Sequence, residues 1–174
     1  MDLSTLTLET ERLRLAAYRE EDAEEIHGAT TPDICRYMTF NPSASVEELR
    51  GVGRKWLAMA SDGQEVAAVI RDKGTGRFLG MGGLHYRGDP LPGLGIWVRA
   101  DAHGHGYGRE AIIGLSTFAR ETLDEKAVLY SVAKENIPSR RIPESLGGTI
   151  CGDDTIQRPG GPAYPGVVYR IPLA

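Results

Sequence analysis

The chain has 174 residues, 41% of them hydrophobic and 25% charged, and a formal net charge of −4. That length supports one core without disulfides or a structural metal, and the composition excludes a disordered or fibrous chain. The acidic balance excludes the basic footprint of a nucleic-acid binder and suits a cationic or amine partner. No apolar run approaches a membrane span, and residues 1–10 lack the basic start and apolar middle of a secretory leader, so cytoplasmic residence is expected. Cys35 and Cys151 lie far apart without CxxC spacing and read as two reduced thiols.

Residues 12–18 alternate, with Leu13, Leu15 and Ala17 on one face, which predicts a half-buried strand. Residues 20–28 are acidic and helix-prone. Ser45 opens a second helix with a capping box, because Glu48 follows three residues later. Its apolar stripe is Val46, Leu49, Val52, Trp56 and Met59, although Gly51 and Gly53 lower its intrinsic propensity. Residues 65–71, a turn at 73–76 and residues 78–86 predict a hairpin. A Gly/Pro-rich loop at 87–93 leads to a strand at 94–98. Residues 106–123 read as a helix, with Ala111, Leu115, Phe118 and Thr122 in line and Ile112 and Ala119 beside them. Residues 127–133 predict a buried strand. Residues 138–146 predict a short helix that contains Pro143 and ends at the Gly147–Gly148 pair. Residues 167–171 form the last predicted strand. The order, with no internal repeat or linker, implies one α/β sheet with antiparallel and parallel pairs, covered by helices.

The richest segment is His103-Gly104-His105-Gly106-Tyr107-Gly108-Arg109-Glu110, between a predicted strand and a predicted helix. Alternate glycines let the backbone turn sharply and bring its N–H groups to a ligand, and the helix start adds partial positive charge. An anion such as a pyrophosphate is the natural occupant, with a plain structural turn as the alternative. The GxxxxGK[ST] of a P-loop is missing, and the late GxGxG spacing does not fit a dinucleotide fingerprint. His103, His105 and Glu110 also match the HxHx4E metal pattern of cupins. Helical periodicity over 109–123 argues against it, since Glu110 would have to lie on a strand.

These residues resemble the GNAT superfamily, whose coenzyme A loop follows [RQ]xxGx[GA]; the match is His103, Gly106 and Gly108. Gly95-Ile96-Trp97-Val98 resembles the splayed strand before that loop, and Tyr107 to Ala111 resembles the opening of the following helix. Thr10-Glu11-Arg12-Leu13-Arg14-Leu15 resembles the first strand of the ribosomal-protein alanine N-acetyltransferase subgroup, and Asn136, Ser139 and Glu144 to Gly147 its penultimate helix.

The resemblance implies a single domain over residues 1–174. It implies a mixed sheet of about six to seven strands, the fourth and fifth splayed, flanked by about four helices. Acetyl-coenzyme A is the implied co-substrate. Its pyrophosphate would rest on His103, Gly104, His105, Gly106, Tyr107 and Gly108, and its pantetheine would pair near Trp97 and Val98. Asn136 would hold the arm, and Ser139 would protonate the leaving thiolate. Helix capping is the alternative for both.

The implied reaction is direct acetyl transfer to a primary amine, on a small molecule or a peptide N-terminus, and a non-catalytic acyl-coenzyme A sensor is the other reading. No nucleic acid, membrane or metal takes part, and a homodimer is left open. The amine needs a base. Residues 90–94 lack the carboxylate expected on the fourth strand, so His85 is the candidate, with a satisfied strand histidine as the alternative. Tyr107 and Tyr130 could hydrogen-bond substrate or simply pack. His27 reads as surface, and Trp56 and Trp97 as core. Two departures from the family pattern are His103 in place of Arg or Gln, and Pro143 within a helix.

Overall fold

Side chains of alternating polarity stack into one eight-stranded sheet with a helical layer on each face. The computed structural model describes every residue except Arg87 and Asp89, so part of the 87–93 loop expected from sequence lies outside the described residues. In chain order the strands are β1 (Thr7–Glu9), β2 (Leu13–Ala17), β3 (Glu65–Asp72), β4 (Phe78–His85), β5 (Gly93–Val98), β6 (Ala127–Ala133), β7 (Thr149–Gln157) and β8 (Ala163–Pro172). The helices are α1 (Ala23–Ala29), α2 (Val46–Ser61), α3 (Tyr107–Thr122) and α4 (Ile137–Ser145). No helix among the described residues is long and apolar enough to cross a membrane.

Eight strands exceed the six to seven expected, because β1 and β7 carry little signal of their own. β1 has three residues. β7 is an edge strand, exposed at every position but Ile156, so it shows no apolar alternation and is defined by pairing with β8.

The sheet order is β1-β2-β3-β4-β5-β6-β8-β7. β4 and β5 pair antiparallel over six residue pairs, and β6 and β8 over seven. Between these halves the parallel strands β5 and β6 meet only at Gly93 and Leu129, where the Leu129 N–H donates to Pro92 C=O at 2.9 Å. Each strand follows its antiparallel partner, and the sheet twist carries the two halves apart beyond that contact. The fourth and fifth strands expected to splay are therefore β5 and β6, the count shifting by one with β1.

α3 buries Ala111, Ile112, Leu115, Ser116 and Ala119 against one face, where α4 adds Ile142 and Leu146. On the other face α1 and α2 bury Ala23, Ile26 and Leu49 beside Tyr18, Phe78, Met81 and Trp97. At seven residues α1 is too short to be stable alone. Arg71 of β3 holds it, donating to Asp22 at 2.8 Å and to Glu25 at 3.0 Å.

The α2 capping box forms with an offset. Ser45 Oγ accepts from Glu48 N–H at 3.1 Å, while Glu48 Oε2 accepts from Ala44 N–H at 2.7 Å rather than from Ser45. Gly53, costly by propensity, is required by packing, since a Cβ there would lie 2.1 Å from the Tyr18 ring. The Tyr18 hydroxyl is buried without a hydrogen-bond partner among the described residues. Tyr18→Phe is therefore expected to raise the unfolding free energy by about 1 kcal/mol in urea denaturation. A fall in stability would show that the hydroxyl is satisfied.

Candidate active site

The gap between β5 and β6 exposes specific backbone groups. Arg99 N–H donates to Leu79 C=O at 2.9 Å. That bond makes Gly80 and Val98 a non-hydrogen-bonded pair and fixes the parity of the β4–β5 ladder. The main chain of Trp97 then faces β4, while the main-chain edges of Ile96 and Val98 face the gap. Of the two strand residues expected to pair with pantetheine, Val98 has its main-chain edge toward the gap and Trp97 has its edge toward β4. Ile96, which sequence reading missed, takes its place; counting ladder parity from the hairpin would have found it.

Beyond β5, a short 3-10 turn leads to the glycine loop. Gly106 is the N-cap of α3 at φ 76°, and Gly104 has φ 80°. Both sit in the left-handed region that glycine alone enters without penalty. A Cβ at Gly104 would meet nothing within 4 Å, so the loop presents open backbone at the start of a 16-residue helix.

Arg12, just before β2, reaches this loop. Its Nε donates to Glu110 Oε2 at 2.6 Å, its Nη1 donates to His105 C=O at 3.0 Å, and its guanidinium lies 4.8 Å from the Tyr107 ring centroid. Glu110 Oε1 also accepts from Thr10 Oγ1 at 2.5 Å and from Arg12 N–H at 2.8 Å. Burial pushes the Glu110 carboxyl up, but these hydrogen bonds outweigh it and hold the group below its ordinary value.

His103 turns the other way, its Nε2 lying 2.6 Å from Val98 C=O. A carbonyl only accepts, so this nitrogen carries the hydrogen. His103, His105 and Glu110 form no cluster that could hold a metal ion.

On the same face, Ser139 Oγ of α4 lies 2.8 Å from the hydroxyl of Tyr130 on β6. Tyr130 is 2% exposed, and burial pushes its phenol up to about 12 against the lowering effect of Ser139, so it stays protonated at neutral pH. Asn136 is the N-cap of α4, yet its side chain makes no capping bond. Ser139 lies inside the helix. The capping alternative therefore fails for both side chains.

Pro143 falls well past the first turn, so it withholds an N–H from the Ser139 carbonyl. The helix end is closed separately. Gly148 N–H donates to Pro143 C=O at 2.8 Å and Gly147 N–H to Glu144 C=O at 3.3 Å, a Schellman motif.

The opposite face holds a cavity of about 790 Å3 under α1, α2 and the residues that join them. His85 lines it at the end of β4, with its ring over Gly93, where a Cβ would lie 2.6 Å from Nε2. Glu65 is its neighbour on β3. Tyr86 N–H donates to Gln64 C=O at 3.0 Å, which makes Glu65 and His85 a non-hydrogen-bonded pair with closely spaced side chains. Trp97 is core, as expected, and Trp56 packs against that core, and both also line the cavity; His27, expected to be surface, lines it too. Asp153 and Asp154 of β7 stand at its rim. Sequence reading missed Glu65, Asp153 and Asp154 because the fold gathers them from strands distant in the chain.

The sequence model of the family described as "Acetyltransferase (GNAT) domain" matches residues 12–149, most of the chain. The chain belongs to the GNAT acetyltransferase family. Solved structures agree in fold across nearly the whole GNAT chain. RimL, described as the ribosomal L7/L12 alpha-N-protein acetyltransferase and solved with coenzyme A, superposes with a TM-score of 0.84 at 15% identity, covering 97% of this chain and 98% of its own. Mycobacterium smegmatis RimJ in complex with CoA-disulfide gives 0.82 at 18% identity, covering 96% and 87%. A GNAT acetyltransferase from Bacillus anthracis gives 0.80 at 20% identity, covering 97% and 99%. No curated protein matches the chain at a significant level.

In this GNAT fold the expected site residues divide between the two faces of the sheet. The glycine loop, Asn136 and Ser139 lie on the α3 and α4 side, and His85 lies on the α1 and α2 side. The cavity wall includes Gly95, Ile96 and Leu129 beside the β5–β6 gap.

Proposed function

We propose that this protein is an acetyl-coenzyme A-dependent N-acetyltransferase acting on a primary amine, with residues 1–174 forming one catalytic domain in the cytoplasm. The reading rests above all on the opening of the sheet between β5 and β6, with an open glycine loop on one face and the cavity on the other. Coenzyme A fits the α3 side: the loop supplies free backbone N–H groups for a pyrophosphate, and the edges of Ile96 and Val98 can pair with an amide-bearing arm. Asn136 at the start of α4 makes no capping bond with its side chain, which leaves its amide for the arm. Val98 C=O is taken by His103, which leaves the Ile96 edge and the Val98 N–H for that arm.

Acetyl-coenzyme A supplies the acyl group. In this scheme the amine enters from the cavity, and His85 removes its proton before or during attack. The C–N bond forms as the C–S bond breaks. Ser139, hydrogen-bonded to the protonated Tyr130, passes a proton to the departing thiolate and regains one from solvent, to which His85 releases the proton it took from the amine. Donor and acceptor approach from opposite faces, so transfer is direct and needs no covalent enzyme intermediate. The acceptor is a small-molecule amine or a peptide N-terminus, and RimL, described as an alpha-N-protein acetyltransferase, favours the second. A sensing domain would share the α3 side but would not need a proton acceptor in the cavity.

The test is thiol release from acetyl-coenzyme A against a panel of amines and of peptides beginning with Ala and Ser. Amine-dependent release is expected. Coenzyme A binding without release for any amine would replace the enzyme by the sensor.

A further inference from the structure

We infer that Arg12 is a positioning residue for the pyrophosphate loop, acting through the His105–Gly106 peptide. This inference rests on the coenzyme A reading above. By family pattern the loop should begin with an Arg or Gln, but His103 stands there and its Nε2–H goes to Val98 C=O. The loop is held instead from outside, by a side chain about ninety residues earlier in the chain.

Arg12 Nη1 takes the His105 carbonyl at 3.0 Å. In a trans peptide the C=O and the next N–H point in opposite directions, so fixing the His105 carbonyl toward Arg12 aims the Gly106 N–H away from the guanidinium. A carbonyl free to turn would bring its partial negative charge toward the phosphates. Gly106, at φ 76°, has little intrinsic reason to keep one peptide orientation, and the guanidinium supplies the missing constraint.

Arg12 is itself fixed on three sides. Glu110 Oε2 lies at 2.6 Å from Nε, the Tyr107 ring lies beneath the guanidinium at 4.8 Å, and the Arg12 N–H donates to Glu110 Oε1 at 2.8 Å. Thr10 closes the bracket on Glu110 at 2.5 Å. Glu110 balances the Arg12 charge, so the role assigned is to hold the loop rather than to bind phosphate. Only a planar fork can donate to a carboxylate and a carbonyl while stacked on a ring, which a lysine ammonium cannot reproduce.

The test compares a ligand that carries the pyrophosphate with one that lacks it. Dissociation constants for coenzyme A and for pantetheine are measured by calorimetry in the wild type, Arg12→Ala and Arg12→Lys, together with KM and kcat for acetyl-coenzyme A and S-acetyl-pantetheine. Arg12→Ala should weaken coenzyme A about tenfold or more and Arg12→Lys several-fold. Pantetheine affinity and turnover of S-acetyl-pantetheine should stay within about twofold. If Arg12→Ala fails to fold, Arg12→Lys carries the comparison. Unchanged coenzyme A affinity, or equal losses for both ligands, would overturn the inference, the second by showing a general structural role. Wild-type binding of coenzyme A without turnover would refute the transferase reading alone, and the dissociation constants would still decide the role of Arg12.

Discussion

His85→Ala is expected to lower amine-dependent turnover about 10²-fold while leaving the dissociation constant of acetyl-coenzyme A unchanged. The separation follows from the two faces of the sheet: His85 lines the α1 and α2 cavity, whereas the glycine loop and Ser139 lie on the α3 and α4 side. Its ring lies over Gly93, the β5 residue that pairs with Leu129 of β6 where the two strands diverge. A primary amine is mostly protonated at neutral pH, so losing the base should cost most at low pH. The deficit should narrow as pH rises and the acceptor deprotonates on its own. Turnover rates from pH 6 to 9 check this. Equal rates in both proteins across that range would remove His85 from the mechanism and point to Glu65 or to water at the cavity wall. Tyr130, held protonated by burial, should add no alkaline limb of its own within that range.

Gly80→Ala is expected to destabilise the protein by about 3 kcal/mol or more. A Cβ at this position would lie 2.1 Å from the Trp97 carbonyl oxygen and 2.8 Å from Val98 Cα. Both are backbone atoms of β5, so no side chain can turn aside to relieve the overlap. β5 would have to move away from β4, and the Ile96 and Val98 edges would move with it. Coenzyme A affinity should therefore fall along with stability. Gly95→Ala is the control, because a Cβ there meets nothing within 4 Å, and it should change stability by less than about 0.5 kcal/mol. Urea midpoints for the two variants, with coenzyme A titrations, make the comparison. Similar midpoints would mean that the β4–β5 ladder absorbs the added methyl group.

Local pattern by itself determined most of the elements. Alternation in 12–18, apolar spacing in 106–123 and the Ser45–Glu48 signal correspond to β2, α3 and the start of α2, because burial of one face writes a period into the residues that supply it. The sharp turn before α3 was legible too, because alternate glycines ahead of a helical period permit left-handed backbone, which Gly104 and Gly106 adopt. Tertiary structure alone decided the rest. β7 buries almost nothing and is defined by pairing with β8.

The gap depends on two antiparallel ladders pulling β5 and β6 apart, which no window of sequence contains. Whether Trp97 or Ile96 offers its backbone there depends on ladder parity. His103 could have faced the phosphates but is bound to Val98 C=O, while Arg12, read as one position of an alternating strand, holds the loop. Side-chain hydrogen bonds between distant segments depend on where the folded backbone puts them, and residue type and spacing do not encode that placement.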